Sequence, residues 1–138
     1  MAQRVDLLHL FIKGLNYTVM ITSYELPRIL EQQIPEIPEV NKSLKPLLQL
    51  FSAINNFADL TGSAVREHHY LLAGRCFRLA ERLYHNGDRI IRNLIQHSFV
   101  PAISSFMPKE DTEKMFVKSL IPVSLYHLYE LEVKEEPE

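Results

Sequence analysis

Residues 66–100, REHHYLLAGRCFRLAERLYHNGDRIIRNLIQHSFV, decide the fold. Val65, His69, Leu72, Cys76, Leu79 and Leu83 recur at steps of three and four, the spacing that puts side chains on one face of an α-helix. The same spacing resumes at Ile91, Leu94, Ile95, Phe99, Ala102, Ile103 and Phe106. Between the two runs stands Asn86-Gly87-Asp88. Glycine at this place supplies the left-handed residue that ends a helix, and aspartate offers an oxygen to cap the next. The stretch therefore predicts a helix over about Ala64 to Asn86, capped by Ser63, and another beginning at Asp88. So short a turn makes these two helices antiparallel neighbours, the long hairpin at the centre of the molecule.

Toward the N-terminus, Val5, Leu8, Ile12, Leu15 and Val19 predict a first helix from about Arg4 to Ile21. Ser23 caps a short second one, with Pro27 in its first turn. Residues 35–41 hold Pro35 and Pro38, which push their predecessors out of helical geometry and give an extended linker. Ser43 then caps a third helix, with Pro46 in its first turn and Leu47, Phe51, Ile54 and Phe57 as its stripe as far as Gly62. Toward the C-terminus, Pro101 is expected to kink the fifth helix and Pro108 to end it. A short helix over Glu110 to Lys118, a break at Pro122 and a last helix through Leu125, Leu128 and Tyr129 follow, and 133–138 form an acidic, frayed tail. With no sustained period-two alternation and no repeat near 34 residues, the expectation is one all-α domain over 1–138. It is an antiparallel helical bundle of about five to seven helices.

Composition narrows the function classes. In 138 residues, 46% are hydrophobic and 23% charged, ordinary for a globular chain and unlike a disordered one. A formal charge of −2 gives no global field that would gather nucleic acid or an anionic membrane. Asp6, His9 and Lys13 interrupt the apolar N-terminus, so neither a secretory signal nor a membrane span is expected. The single cysteine cannot form an internal disulfide, and a cytoplasmic location is the default.

Arg66 to Cys76 gathers residue types that ligate metals. On a continuous helix, however, His68 and His69 diverge by about 100°, and His69 and Cys76 lie about 10.5 Å apart along the axis. Zinc bonds of about 2.0 to 2.3 Å cannot span that separation. The chain has no His-x-x-x-His, Glu-x-x-His or Cys-x-x-Cys pair, so no metal and no cofactor is expected. The remaining metal candidates are His68 and Glu67, joined by His97 from another helix. Cys76 on the apolar stripe is expected to be a core residue, and His69 a core or boundary histidine with a hydrogen-bond partner. Tyr70, Phe77 and Tyr84, seven apart, widen the buried face.

The arginines are the strongest functional signal. Arg75, Arg78 and Arg82 lie on the outer face of the fourth helix, and Arg89 and Arg92 open the fifth. From Arg66 to Arg92, six arginines face three carboxylates, a local charge of +3 in an acidic chain. Guanidinium forks match carboxylate and phosphate, so the five form a candidate binding surface. Against this, Glu81 stands three residues from Arg78 as a partner, and Glu25, Glu31, Glu36 and Glu39, together with the acidic C-terminal tail, offer carboxylates on which the arginines would dock within the chain. The function read from these features is non-enzymatic: a protein–protein interaction or regulatory module of adaptor or immunity type, binding another protein or a second copy of itself, with no membrane. The alternatives are an anion or nucleic-acid binder working through the arginine face, and a helical-bundle metal-binding protein.

Cys76-Phe77, Leu79-Ala80-Glu81, Leu83-Tyr84, Gly87-Asp88, Asn93 and Phe99-Val100, with Leu120 to Tyr129 as a closing element, resemble the pattern of a family of small all-helical bacterial proteins described as a domain of unknown function. The resemblance covers about residues 42–130. It implies the same helical fold and carries over no catalytic residue.

Overall fold

The structure, a computed structural model, describes residues 20–135, and over these the chain is all-α. A 3₁₀ turn, Ser23–Glu25, leads into α1 (Leu26–Gln33). After a non-helical segment come α2 (Pro46–Arg66) and α3 (Tyr70–Asn86). The helices α4 (Arg89–Leu94) and α5 (Val100–Phe106) are joined without a break by a π-helical segment, Ile95–Phe99. Then α6 (Asp111–Leu120) and α7 (Val123–Glu135) close the bundle. The helix expected over Arg4 to Ile21 lies outside the described residues except at its end, where Ile21 forms an isolated parallel bridge with Gly87. The last helix runs three residues into the segment expected to fray.

The long hairpin at the centre is α2–α3, and its turn falls inside the stretch expected to be helical. Helix α2 continues through Gly62 and Ser63 to Arg66, so Ser63 caps nothing. Glu67 follows as the C-cap, and His68 takes φ 62°, in the left-handed region. The N–H of His69 donates to the Ala64 carbonyl at 2.8 Å, and that of His68 to the Val65 carbonyl at 3.2 Å. Those two bonds are the Schellman termination of a helix, usually carried by glycine. Histidine is among the few other residues enriched in this conformation. No glycine marks the break, which is why apolar spacing alone ran across it.

At the second turn the expectation was right about Asp88 and wrong about Gly87. Asp88 Oδ1 accepts from the Ile91 N–H at 3.0 Å and caps α4. Its Oδ2 accepts from the Ser23 N–H at 2.7 Å, and its own N–H donates to the Ile21 carbonyl at 2.8 Å. Gly87 has φ −76° and ψ 157°, ordinary extended backbone. What it supplies is room, because a Cβ there would collide with the Leu83 carbonyl oxygen and Ile91 Cγ2. Other caps also moved. The Thr22 N–H and hydroxyl both donate to the Glu25 carboxylate in place of a Ser23 cap. Ser43 donates to Asn41 Oδ1, leaving Lys45 at the N-cap of α2 and Pro46 at its first position.

One core holds these elements together. Phe57 of α2 stacks on Phe99 of the π segment at 4.8 Å between centroids, and Phe77 of α3 meets Phe99 edge-on at 6.4 Å. All three are fully buried, and each contributes about 1.5–3 kcal/mol through the apolar surface removed from water. Close approach is made by small residues: Gly62 packs on Phe106 of α5, and Ala73, Cys76 and Ala80 are buried along α3.

Candidate functional site

Three of the five candidate arginines converge. Arg75, Arg78 and Arg82 of α3 line a cleft of about 240 Å³ whose other walls are Gln33, Ile34 and Leu79. Helical steps of three and four place the guanidinium stems along one edge of α3, and the end of α1 forms the facing wall. Arg75 is held there by two bonds: its Nη1 lies 3.2 Å from Glu36 Oε2, and its Nη2 donates to the Gln33 carbonyl at 3.0 Å. The Glu36 carboxyl sits below its ordinary range, first because its own backbone N–H bonds to it and then because Arg75 donates to it. Arg78 folds back along α3 over Gly74. Among the described residues neither Arg78 nor Arg82 forms an ion pair, and Glu81, expected to answer Arg78, instead stands 3.7 Å from His85 Nε2. Arg89 and Arg92 do not line the cleft; Arg92 lies over the Tyr84 ring, 5.7 Å from its centroid.

The metal candidates are drawn apart by the turn that sequence spacing missed. His68 Nε2 reaches Glu113 Oε1 of α6 at 3.6 Å, while Glu67 pairs with His69 Nδ1 at 3.8 Å. His97 is exposed in the π segment and joins neither pair. Among the described residues no three of His, Cys, Asp or Glu cluster as metal ligands. His69 is not a core histidine: its side chain is 65% exposed, because it follows the helix end. Cys76 is wholly buried, and burial pushes its thiol up, partly offset by a hydrogen bond to Thr61. It is a packing residue, held away from the thiolate form that reacts. Of the aromatic series, Phe77 is core, Tyr84 is half-buried, and Tyr70 is half-buried with its ring edge-on to Phe116 at 4.6 Å.

One constellation went unnoticed in the sequence. His85 Nε2 lies 3.1 Å from Ser124 Oγ, and Glu81 is the nearby carboxylate, beside an apolar cleft of about 420 Å³ lined by Tyr84, Val123, Tyr126 and Leu128. The residue types are those of a nucleophile, a base and an orienting acid, but the geometry is not. Serine and carboxylate both face Nε2, whereas activation of a hydroxyl needs the acid on the opposite ring nitrogen. Thirty-nine residues separate His85 from Ser124, so no local spacing could have paired them.

A small helical bundle with an arginine-lined cleft on its longest hairpin is the class of protein that fold and geometry define. A family model described as "Domain of unknown function (DUF7674)" matches residues 27–134, and the chain belongs to that family. The match begins at α1 rather than near residue 42, so the wall of the arginine cleft lies inside the family's domain. Neither the curated proteins nor the solved structures contain a match to this chain. No helix among the described residues is long and apolar enough to cross a membrane.

Proposed function

We propose that this chain is a non-enzymatic interaction module that takes an acidic, extended segment of a partner protein on the α3 arginine cleft. The observation that supports the reading most strongly is the Arg75–Glu36 contact. The last residue of α1 offers Arg75 a backbone carbonyl and the non-helical segment after it offers a carboxylate, the pattern an acidic strand from a partner would repeat at the unpaired Arg78 and Arg82. Planar guanidinium forks favour this carboxylate geometry. The single cysteine, buried and unpaired, supports a cytoplasmic location, and the resemblance noted above supports a bacterial source.

A fluorescein-labelled peptide of the chain's own residues 33–41, QIPEIPEVN, serves as probe in an anisotropy titration. Binding is expected to weaken several-fold for each of Arg78→Glu and Arg82→Glu, the scale of exposed charge pairs. Glu36→Gln is expected to tighten it by releasing Arg75. Peptide binding that ignores both charge reversals overturns the reading. A single-stranded oligonucleotide that binds where the peptide does not, with affinity falling steeply as salt rises, would favour the nucleic-acid alternative instead.

A further inference from the structure

The lysines around α6 take no part in the arginine cleft. Lys109, Lys114 and Lys118 line a separate cleft of about 440 Å³, with Ser104 of α5 and the apolar side chains of Met107 and Val133. Lys114 and Lys118 are four apart on one helix, where like charges repel. None of the ion pairs among the described residues neutralises any of the three. Of the three carboxylates beside them in sequence, Glu110 accepts from the N–H groups of Thr112 and Glu113 at the N-terminus of α6, Glu113 faces His68, and Asp111 forms no ion pair among the described residues. The second observation concerns Ser104. A helical serine normally donates back to a carbonyl one turn earlier, as Ser105 does to Ala102 at 2.6 Å. The Ser104 hydroxyl is shielded from solvent and has no hydrogen-bond partner among the described residues. Shielded polar groups left in that state are rare in folded proteins.

We infer that this cleft binds a small phosphate monoester. Lys109, Lys114, Lys118 and Ser104 are donors or can act as donors, and a phosphate monoester carries a charge near −2 with acceptor oxygens throughout. Three ammonium groups exceed what one carboxylate would neutralise. Met107 and Val133 offer the esterified organic part an apolar wall, so an ester binds more tightly than inorganic phosphate. The inference is independent of the arginine cleft, with which it shares no residue.

Calorimetric and ¹⁵N-resolved NMR titrations with phenyl phosphate, inorganic phosphate and acetate at matched ionic strength test it. Phenyl phosphate is expected to bind most tightly and to shift amides over 104–118 and near 133. Lys114→Gln/Lys118→Gln is expected to weaken it about tenfold or more, the scale of lost hydrogen bonds to a charged group. Ser104→Ala is expected to weaken it about threefold without lowering the thermal midpoint of the unliganded protein, since a buried hydroxyl without a partner adds no stability. Arg78→Gln/Arg82→Gln leaves it unchanged, which separates this site from the proposed peptide cleft. An absence of saturable phenyl phosphate binding, equal affinity for acetate, or affinity unaltered by the double lysine substitution overturns the proposal.

Discussion

Replacing His68 by glycine and by alanine gives a pair of stabilities whose order depends on one backbone angle. His68 has φ 62°, which costs a residue with a Cβ about 1–2 kcal/mol. Its side chain returns little of this. The approach to Glu113 is 3.6 Å between groups 57% and 46% exposed, and such pairs contribute from nothing to about 1 kcal/mol. The edge-on contact with Tyr70, 5.6 Å between centroids, adds about 0.5 kcal/mol. His68→Ala loses both contacts and keeps the strain, so it is destabilised by about 1 kcal/mol. His68→Gly loses the contacts and the strain together and stays close to the parent. Glycine is therefore expected to exceed alanine by about 1 kcal/mol, or about 4 °C in Tm, whereas within a helix alanine exceeds glycine by about 0.5–1 kcal/mol. Urea unfolding of the two variants at equal m-values measures the difference. Alanine as stable as glycine, or more so, would refute the left-handed assignment and restore the unbroken helix that apolar spacing suggests.

Gly62→Ala and Gly74→Ala are expected to move stability in opposite directions. A Cβ at 62 would stand 2.9 Å from Phe106 Cδ2, and overpacking of about 1–3 kcal/mol outweighs the gain in helix propensity. At 74 it would meet only the mobile Arg78 Nη1 at 3.2 Å, so the propensity gain of about 0.5–1 kcal/mol survives in thermal unfolding. Asp88→Ala removes the α4 cap, about 1 kcal/mol, and orphans the half-buried Ser23 N–H, about 1–3 kcal/mol more. A loss below about 1 kcal/mol in denaturant would show that the turn is not tied to residues 21–23. The Cys76 thiol is expected to resist an exposed-thiol reagent until the protein unfolds. Burial raises its pKa in the folded state, so its share of stability is intact below the unfolded value near 9.0 and declines as pH rises above it. That alkaline slope should be absent in Cys76→Ala.

Apolar spacing was enough to make the chain helical, and Asp88 could be recognised as a cap from its place after glycine. The break at Glu67–His69 was hidden because the usual terminator is glycine and here it is histidine. The polar run Arg66-Glu67-His68-His69 and histidine's tolerance of positive φ were the available signals. That one miss misplaced His69 in the core and Leu72 and Val65 on one helix, when they belong to two. In the candidate site, the arginine row on α3 followed from periodicity. Its opposing wall did not: Gln33 and Glu36 reach Arg75 across 42 and 39 residues, a pairing set by how α1 packs. The lysine cleft was invisible for the same reason, since Ser104 and Val133 meet Lys114 only in three dimensions.

The π-helical segment acts as a phase corrector. Ile91, Ile95, Phe99 and Ile103 are all fully buried, and they advance in uniform steps of four. On a regular α-helix each such step overshoots a full turn by about 40°, so Ile103 would stand about 120° around from Ile91, outside the core. The wider turn, in which the Val100 N–H donates to the Ile95 carbonyl five residues back, absorbs that drift just before Pro101, whose missing N–H leaves the His97 carbonyl without its usual donor. Inserting one residue into 95–99 would rotate all of α5 by about 100°, turning the face that carries Ile103 and Phe106 away from α2, whereas deleting one would return the segment to α-helical pitch with Ile103 still about 20° around from Ile91. The chain at this point tolerates the loss of one residue better than the gain of one.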